Sequence, residues 1–186
     1  MKRLSMLLAR YLAHPDPLAA AGNLVALLVG SNQPFYPLAL YVATGADVTG
    51  LFLVFLSAPC FLAVPFVARR SSLAARVMLV AVASIDTLIS VKVYGQTGGS
   101  ELYLGPCLML AAMMFRKREQ YLSLSLIALI CVGLVALHDR YGASFLAWSA
   151  RDYATMMSFN IFYVAILTAF IGVSVGRARG DGPRDA

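Results

Sequence analysis

Asp86 is the residue with the most chemical potential in this 186-residue sequence. It sits in Ala83-Ser84-Ile85-Asp86-Thr87-Leu88, within a stretch that carries no other charge from Val77 to Val91. An unpaired charge at the centre of a bilayer costs about 2.5–3.5 kcal/mol or more. Such an acid is therefore protonated, hydrogen-bonded from another helix, or facing a wet cavity. Lys92 stands six residues on, about 120° round a helix axis. It is expected to snorkel to the surface rather than neutralise Asp86. The chemistry open to a solitary intramembrane acid is a proton or cation relay, or the orientation of a ligand's polar group. Asn32, Gln33, Thr87, Ser90 and Asn160 fall at similar depth, and Glu101 and His138 at the ends of their apolar runs. The opposite half holds chiefly Asn23. This distribution predicts a polar pocket in one half of a bundle, opening toward the outer side. The competing expectation is a set of interhelical hydrogen bonds, each worth about 0.6–2 kcal/mol.

Other catalytic constellations do not form. His14 and His138 are predicted on opposite sides of the membrane, so they cannot share a metal, and no metal or cofactor is expected. HExxH and P-loop patterns are missing. Gly98-Gly99-Ser100 lies in a loop rather than on a helix, a poor fit to an intramembrane serine protease, and the spaced aspartates of phosphatidyltransferases are not found. Asp86 has no second carboxylate for acid–base work. No enzymatic activity is expected. Cys60, Cys107 and Cys131 each lie in apolar runs with no CxxC pairing, which reads as buried packing.

The elements that must position these residues follow from composition. The chain is 60% apolar and 13% charged, against about 45–50% and 25% in soluble domains. Its mean hydropathy is +0.77. So much apolar surface excludes both an ordinary soluble domain and disorder. The predicted fold is all-α: a polytopic, six-transmembrane-helix bundle in the lipid bilayer. A hydrocarbon core of about 30 Å needs about 20 apolar residues. Six segments qualify or nearly so, at residues 18–43, 49–68, 73–94, 102–115, 120–138 and 154–175. Asp16, Ser72 and Asp152 are the predicted N-caps of the first, third and sixth. Twelve of the fifteen basic residues fall at the two termini and in the 69–76 and 116–118 turns, and Lys92, Arg140 and Arg151 at or near the other end. The positive-inside rule then places both termini in the cytoplasm. The net charge of +6 is thus a topology signal, and nucleic acid is not an expected partner.

Residues 1–15 are expected to form a cytoplasmic amphipathic surface helix, 16–176 the transmembrane domain and 177–186 a disordered tail. Arg10 interrupts the first apolar run, so no cleavable signal peptide is expected. Tyr141, Phe145 and Trp148 recur at helical spacing and predict a short interfacial helix in the outer loop. Pro34, Pro37, Pro59, Pro65 and Pro106 are expected to kink their helices and open space between them. Gly172 and Gly176 have small-xxx-small spacing, which serves either packing within the bundle or a homodimer contact.

Two patterns carry a resemblance. Gly22-Asn23 is followed by Asn32-Gln33-Pro34-Phe35-Tyr36-Pro37-Leu38, and Leu104-Gly-Pro-Cys-Leu-Met-Leu runs into Phe115-Arg116-Lys117-Arg118-Glu119. Together they resemble the six-span membrane sensor domains of class III adenylate cyclases and autoinducer-sensing histidine kinases. The resemblance covers most of residues 1–176 and implies a dimeric receptor module of a bacterial inner membrane. The sequence ends at Ala186 with no output domain, so signalling is expected to pass through a separate cytoplasmic protein. The candidate ligand-binding set is Asn32, Gln33, Tyr36, Asp86, Thr87, Ser90 and Asn160, for a small, mostly apolar molecule. Two alternatives stand beside this reading: a small transporter or permease subunit with Asp86 as relay, and a structural membrane partner without ligand.

Overall fold

The computed structural model of the chain describes residues 2–45 and 54–180. Among these the regular structure is helical, with no strand. Helix α1 (Lys2–Leu12) leads to α2 (Pro17–Asn32), α3 (Phe35–Thr44), α4 (Ala58–Ala68), α5 (Ser72–Tyr94), α6 (Leu104–Met113), α7 (Gln120–Leu137) and α8 (Ala150–Gly180). Helix α5, the stretch Lys117–Leu137 and α8 are long and apolar enough to cross a membrane. The other apolar helices are shorter: Val54–Ala68 and Ser100–Met113, each including a 3-10 lead-in, and the α2–α3 pair, which is broken in the middle.

Local chemistry sets the ends. Asp16 caps α2 by accepting from the Leu18 N–H at 3.0 Å, and Pro17 supplies a first residue that needs no donor. Pro34 cannot donate to the helix it follows, so α2 stops, although Gln33 and Pro34 keep helical backbone angles. Helix α3 resumes at once and ends on Gly45 in the left-handed region (φ 68°). Two predicted caps move. Ser71, not Ser72, caps α5 by accepting from the Ala74 N–H at 3.2 Å. The Ser72 hydroxyl instead donates to Asp16. Helix α8 begins before Asp152, which pairs reciprocally with Ser149: Oδ2 accepts from the Ser149 N–H at 3.0 Å while Ser149 Oγ accepts from the Asp152 N–H at 3.2 Å.

The core lies between α2, α4, α5, α6 and α8, where Val25, Phe61, Leu79, Leu110, Met114 and Ile171 are buried. Gly30 lets α2 settle on α4, since a Cβ there would lie 2.9 Å from Phe61 Cβ. Helix α7 packs on α6 and turns Leu124, Leu129, Val132 and Val135 outward, each more than half exposed. An apolar helix left this bare suits lipid rather than water.

One end of the bundle is clamped by ions. Arg76 is 3% exposed and grips Glu119 with both terminal nitrogens, at 2.7 and 3.0 Å. It also donates to the Met114 carbonyl at 2.6 Å. Arg116 reaches Asp16 at 3.2 Å, and Arg179 donates to the Phe115 carbonyl at 2.7 Å. The start of α2, the start of α5, the α6–α7 turn and the tail of α8 are thereby tied together. The arginines read as topology signal thus include a buried structural one. Burial alone would raise the Asp16 carboxyl; the hydrogen bonds from Ser72 and Leu18 and the two arginines outweigh it and hold the group below its ordinary value.

At the other end, Lys92 donates to the carbonyls of Tyr141 and Ala143 at 2.9 and 2.7 Å. It pins the α7–α8 connection rather than extending into solvent. The interfacial helix predicted there does not form. Residues 139–149 are irregular, because the glycine at 142 takes a left-handed φ of 67° and the Lys92 bonds use carbonyls that a helix would need. Leu146 and Trp148 pack inward near Tyr94 and Met156, while Phe145 stays exposed beneath the Lys92 ammonium. Glu101 and His138 meet at 2.9 Å.

Two further expectations change, and one element gains an anchor. Helix α8 runs to Gly180, so residues 177–180 are helical, and the rest of the predicted tail, 181–186, lies outside the described residues. Cys107 is buried, but Cys60 and Cys131 are exposed on the lipid-type surface. Tyr11 donates to the Leu62 carbonyl and meets the Phe66 ring edge-on at 5.4 Å, so α1 is fastened to α4.

Candidate functional site

Asp86 lies about 21 Å along α5 from Ser72, taking 1.5 Å per residue. Its two oxygens are used differently. Oδ1 accepts from the Ser57 hydroxyl at 2.6 Å, and Oδ2 accepts from Gln33 Nε2 at 3.1 Å. The same Gln33 nitrogen donates to Ser57 Oγ at 2.9 Å, which closes a triangle among three segments. Each segment delivers its residue for a local reason. Gln33 is set at the break before Pro34, where the helix has stopped. Ser57 ends the 3-10 turn before α4 and makes no side-chain cap bond, so its hydroxyl is directed to the acid. The Ser57 hydroxyl has one hydrogen and two acceptors in reach, Asp86 and the Val54 carbonyl at 2.9 Å; the shorter contact goes to the carboxylate.

Gln33 and Asp86 of this triangle line a cavity of about 280 Å³ among α2, α3, α4, α5, α6 and α8. The remaining walls are mostly apolar, from Val29, Phe61, Leu79, Leu110, Leu167 and Ile171. All seven candidate ligand-binding residues line it. Gln33, Thr87 and Asn160 are buried, Tyr36, Asp86 and Ser90 are half-buried, and Asn32 is exposed at the rim. Thr87 donates to the Ala83 carbonyl at 2.9 Å and touches Cys107 Sγ at 3.8 Å, so its hydroxyl is spent on its own helix.

Asn160 works differently from Asp86. It is fully buried, and Nδ2 donates to the Gly98 carbonyl at 2.7 Å. The connection between α5 and α6 therefore folds inward over the cavity, with Gly98, Gly99 and Ser100 buried. The glycine at 99 permits the turn with a left-handed φ of 82°. Asn160 thus holds the α5–α6 connection against this side of the chamber. The Asn160 side chain lies beside the Tyr36 hydroxyl, yet among the described residues Asn160 Oδ1 and the hydroxyls of Tyr36 and Tyr94 meet no hydrogen-bond partner of full geometry. Three polar atoms without partners thus belong to residues that line the cavity. Buried polar groups ordinarily find partners, and such a set is what a ligand or ordered water would satisfy.

The sequence reading missed Ser57, which bonds Asp86, and Tyr94, Tyr103 and Tyr163, which line the cavity. Tyr36 sits edge-on to Tyr94 at 5.2 Å and to Tyr163 at 6.0 Å. Ser57 could have been noticed as the polar residue ahead of Ala58-Pro59 in an apolar run; the tyrosines had no signal beyond being aromatic. Gly172 packs within the bundle, where a Cβ would meet Met109 Cε at 3.0 Å, whereas nothing approaches the open side of Gly176. Among the described residues no group of three or more His, Cys, Asp or Glu side chains is placed to hold a metal. No family model matches the chain, and searches of curated proteins and of solved structures find no match.

Proposed function

We propose that the chain is a receptor-like membrane module that binds a small, mostly apolar molecule in the cavity beside Asp86. One observation carries this reading: an apolar chamber of about 280 Å³ bears an acid on one wall and unpartnered hydroxyl and amide groups on others. Binding sites share that composition, an apolar lining with a few placed polar groups. Gln33 and Ser57 hold Asp86 in a fixed orientation, so a ligand donor meets a preset acceptor. Asn160 couples the same chamber to the α5–α6 connection, a route by which occupancy alters helix packing.

The finer architecture belongs to the same proposal. The α2–α3 pair and the segments of α4 and α6 supply three further crossings beside the three long helices. The basic residues around Arg76, Arg116 and Arg179 face the cytoplasm of a bacterial inner membrane, with both termini on that side. Signalling through a separate cytoplasmic protein, in a homodimer, follows from the resemblance to sensor domains. A carboxyl-terminal reporter fusion, active only in the cytoplasm, tests the topology. Binding is tested by thermal unfolding of the detergent-solubilised protein across a panel of medium-chain alcohols, ketones and amides. At least one is expected to raise the midpoint in the native chain and not in Asp86→Asn. No shift with any of them would remove the binding reading.

A further inference from the structure

This inference rests on the binding reading and concerns how the ligand arrives and what it must therefore be. Of the described residues that line the cavity, three are exposed: Leu28 and Asn32 on α2, and Ile166 on α8. Leu28 and Asn32 are one turn apart, so they share a face. Leu28 is 40% exposed and Ile166 49%. Both also belong to outward apolar stripes, Leu24-Leu28 on α2 and Phe162-Ile166-Val173 on α8. The rest of the lining is buried or half-buried. The cavity thus reaches the surface at the seam between α2 and α8. Described residues stand at both ends of the bundle. Toward Arg76 lie Met114 and Phe115, both buried. Toward Lys92 lies the inward-folded connection that Asn160 holds by Gly98.

The depth of the seam decides what can pass. Taking a hydrocarbon core of about 30 Å to begin with α2, Leu28 and Asn32 stand about 16 and 22 Å into it, well inside its boundaries. A molecule at that depth is surrounded by acyl chains, where a charge is costly. We infer that the ligand enters sideways from the lipid through the α2–α8 seam and is an uncharged amphiphile. Its chain follows the apolar seam. Its hydroxyl, carbonyl or amide head reaches Asp86 or the free hydroxyls of Tyr36 and Tyr94. At about 30 Å³ per water-sized group, the chamber holds about nine heavy atoms.

The test uses decan-1-ol carrying a mid-chain diazirine, added to the full chain in phosphatidylethanolamine–phosphatidylglycerol liposomes, with labelled peptides mapped over time. Labelling is expected on α2, α5 and α8 around the cavity. Leu28→Trp and Ile166→Trp, which narrow the seam, are expected to slow it roughly tenfold, and Ile166→Ala to speed it. Leu129→Trp, on the outer face of α7, leaves the rate unchanged. Cavity labelling whose rate ignores the size of residues 28 and 166 would overturn the lateral route and leave the binding reading standing. Absence of cavity labelling in the native chain would overturn the binding reading and this inference with it.

Discussion

The Ser57 hydroxyl lies 2.6 Å from Asp86 Oδ1, and that contact joins the segment before α4 to the middle of α5. A hydroxyl donating to a carboxylate at depth is among the stronger hydrogen bonds a chain can make, because little water competes. It also explains how an acid is kept in a stretch with no other charge: two donors from other segments surround it.

Ser57→Ala is therefore expected to cost about 1.5–3 kcal/mol of stability. The same change in an Asp86→Asn background should cost less, with a coupling energy of about 0.5–3 kcal/mol. A double-mutant cycle by chemical unfolding in detergent measures it. Additive losses would show that the two residues act independently.

Breaking the ionic clamp should be more damaging. Arg76→Met leaves Glu119 without its bidentate partner. Loss of one member of a buried pair costs about 3–5 kcal/mol. Adding Glu119→Leu removes the stranded charge, so the double variant is expected to be more stable than Arg76→Met alone. Thermal unfolding of the three proteins gives the order directly.

The clamp also predicts acid sensitivity. The Asp16 carboxyl is held below its ordinary value of 3.8, so its contribution to stability is fully present above that value. The contribution is lost as pH falls through the lowered folded value. In Asp16→Asn this part of the acid dependence should vanish. Unfolding midpoints between pH 2 and pH 5 for the two proteins check it; parallel curves would refute the assignment.

Gly30→Ala separates intrinsic helix preference from packing. In an isolated helix the change gains about 1 kcal/mol. Here the added Cβ would stand 2.9 Å from Phe61 Cβ, an atom next to the backbone that cannot swing away. Overpacking of this kind costs about 1–3 kcal/mol, so a net loss is expected. Gly22→Ala is crowded by the mobile end of Met114, with Leu79 Cδ2 at ordinary contact distance, and should lose less. Comparing the two in one unfolding series distinguishes packing from propensity.

Residue types and spacing in the chain were enough to establish an all-helical architecture, the cap at Asp16, the break at Pro34 and the segments α5, α7 and α8. These follow from local physics: apolar run length, missing donors at proline, and side chains that satisfy helix ends. The seven polar residues could be grouped by depth, because depth along a helix is a matter of counting. Other features required the tertiary structure. Ser57 became Asp86's partner only when the segment before α4 met α5, and sequence distance contains no record of that meeting. Arg76 looked like one more basic flank until the α6–α7 turn brought Glu119 onto it. The aromatic spacing at 141–148 suggested a helix, but Lys92 captured two of its carbonyls from another element. The way into the cavity was beyond counting as well. It depends on which side chains of α2 and α8 stay uncovered where the two helices meet, and that is a property of their packing rather than of either sequence.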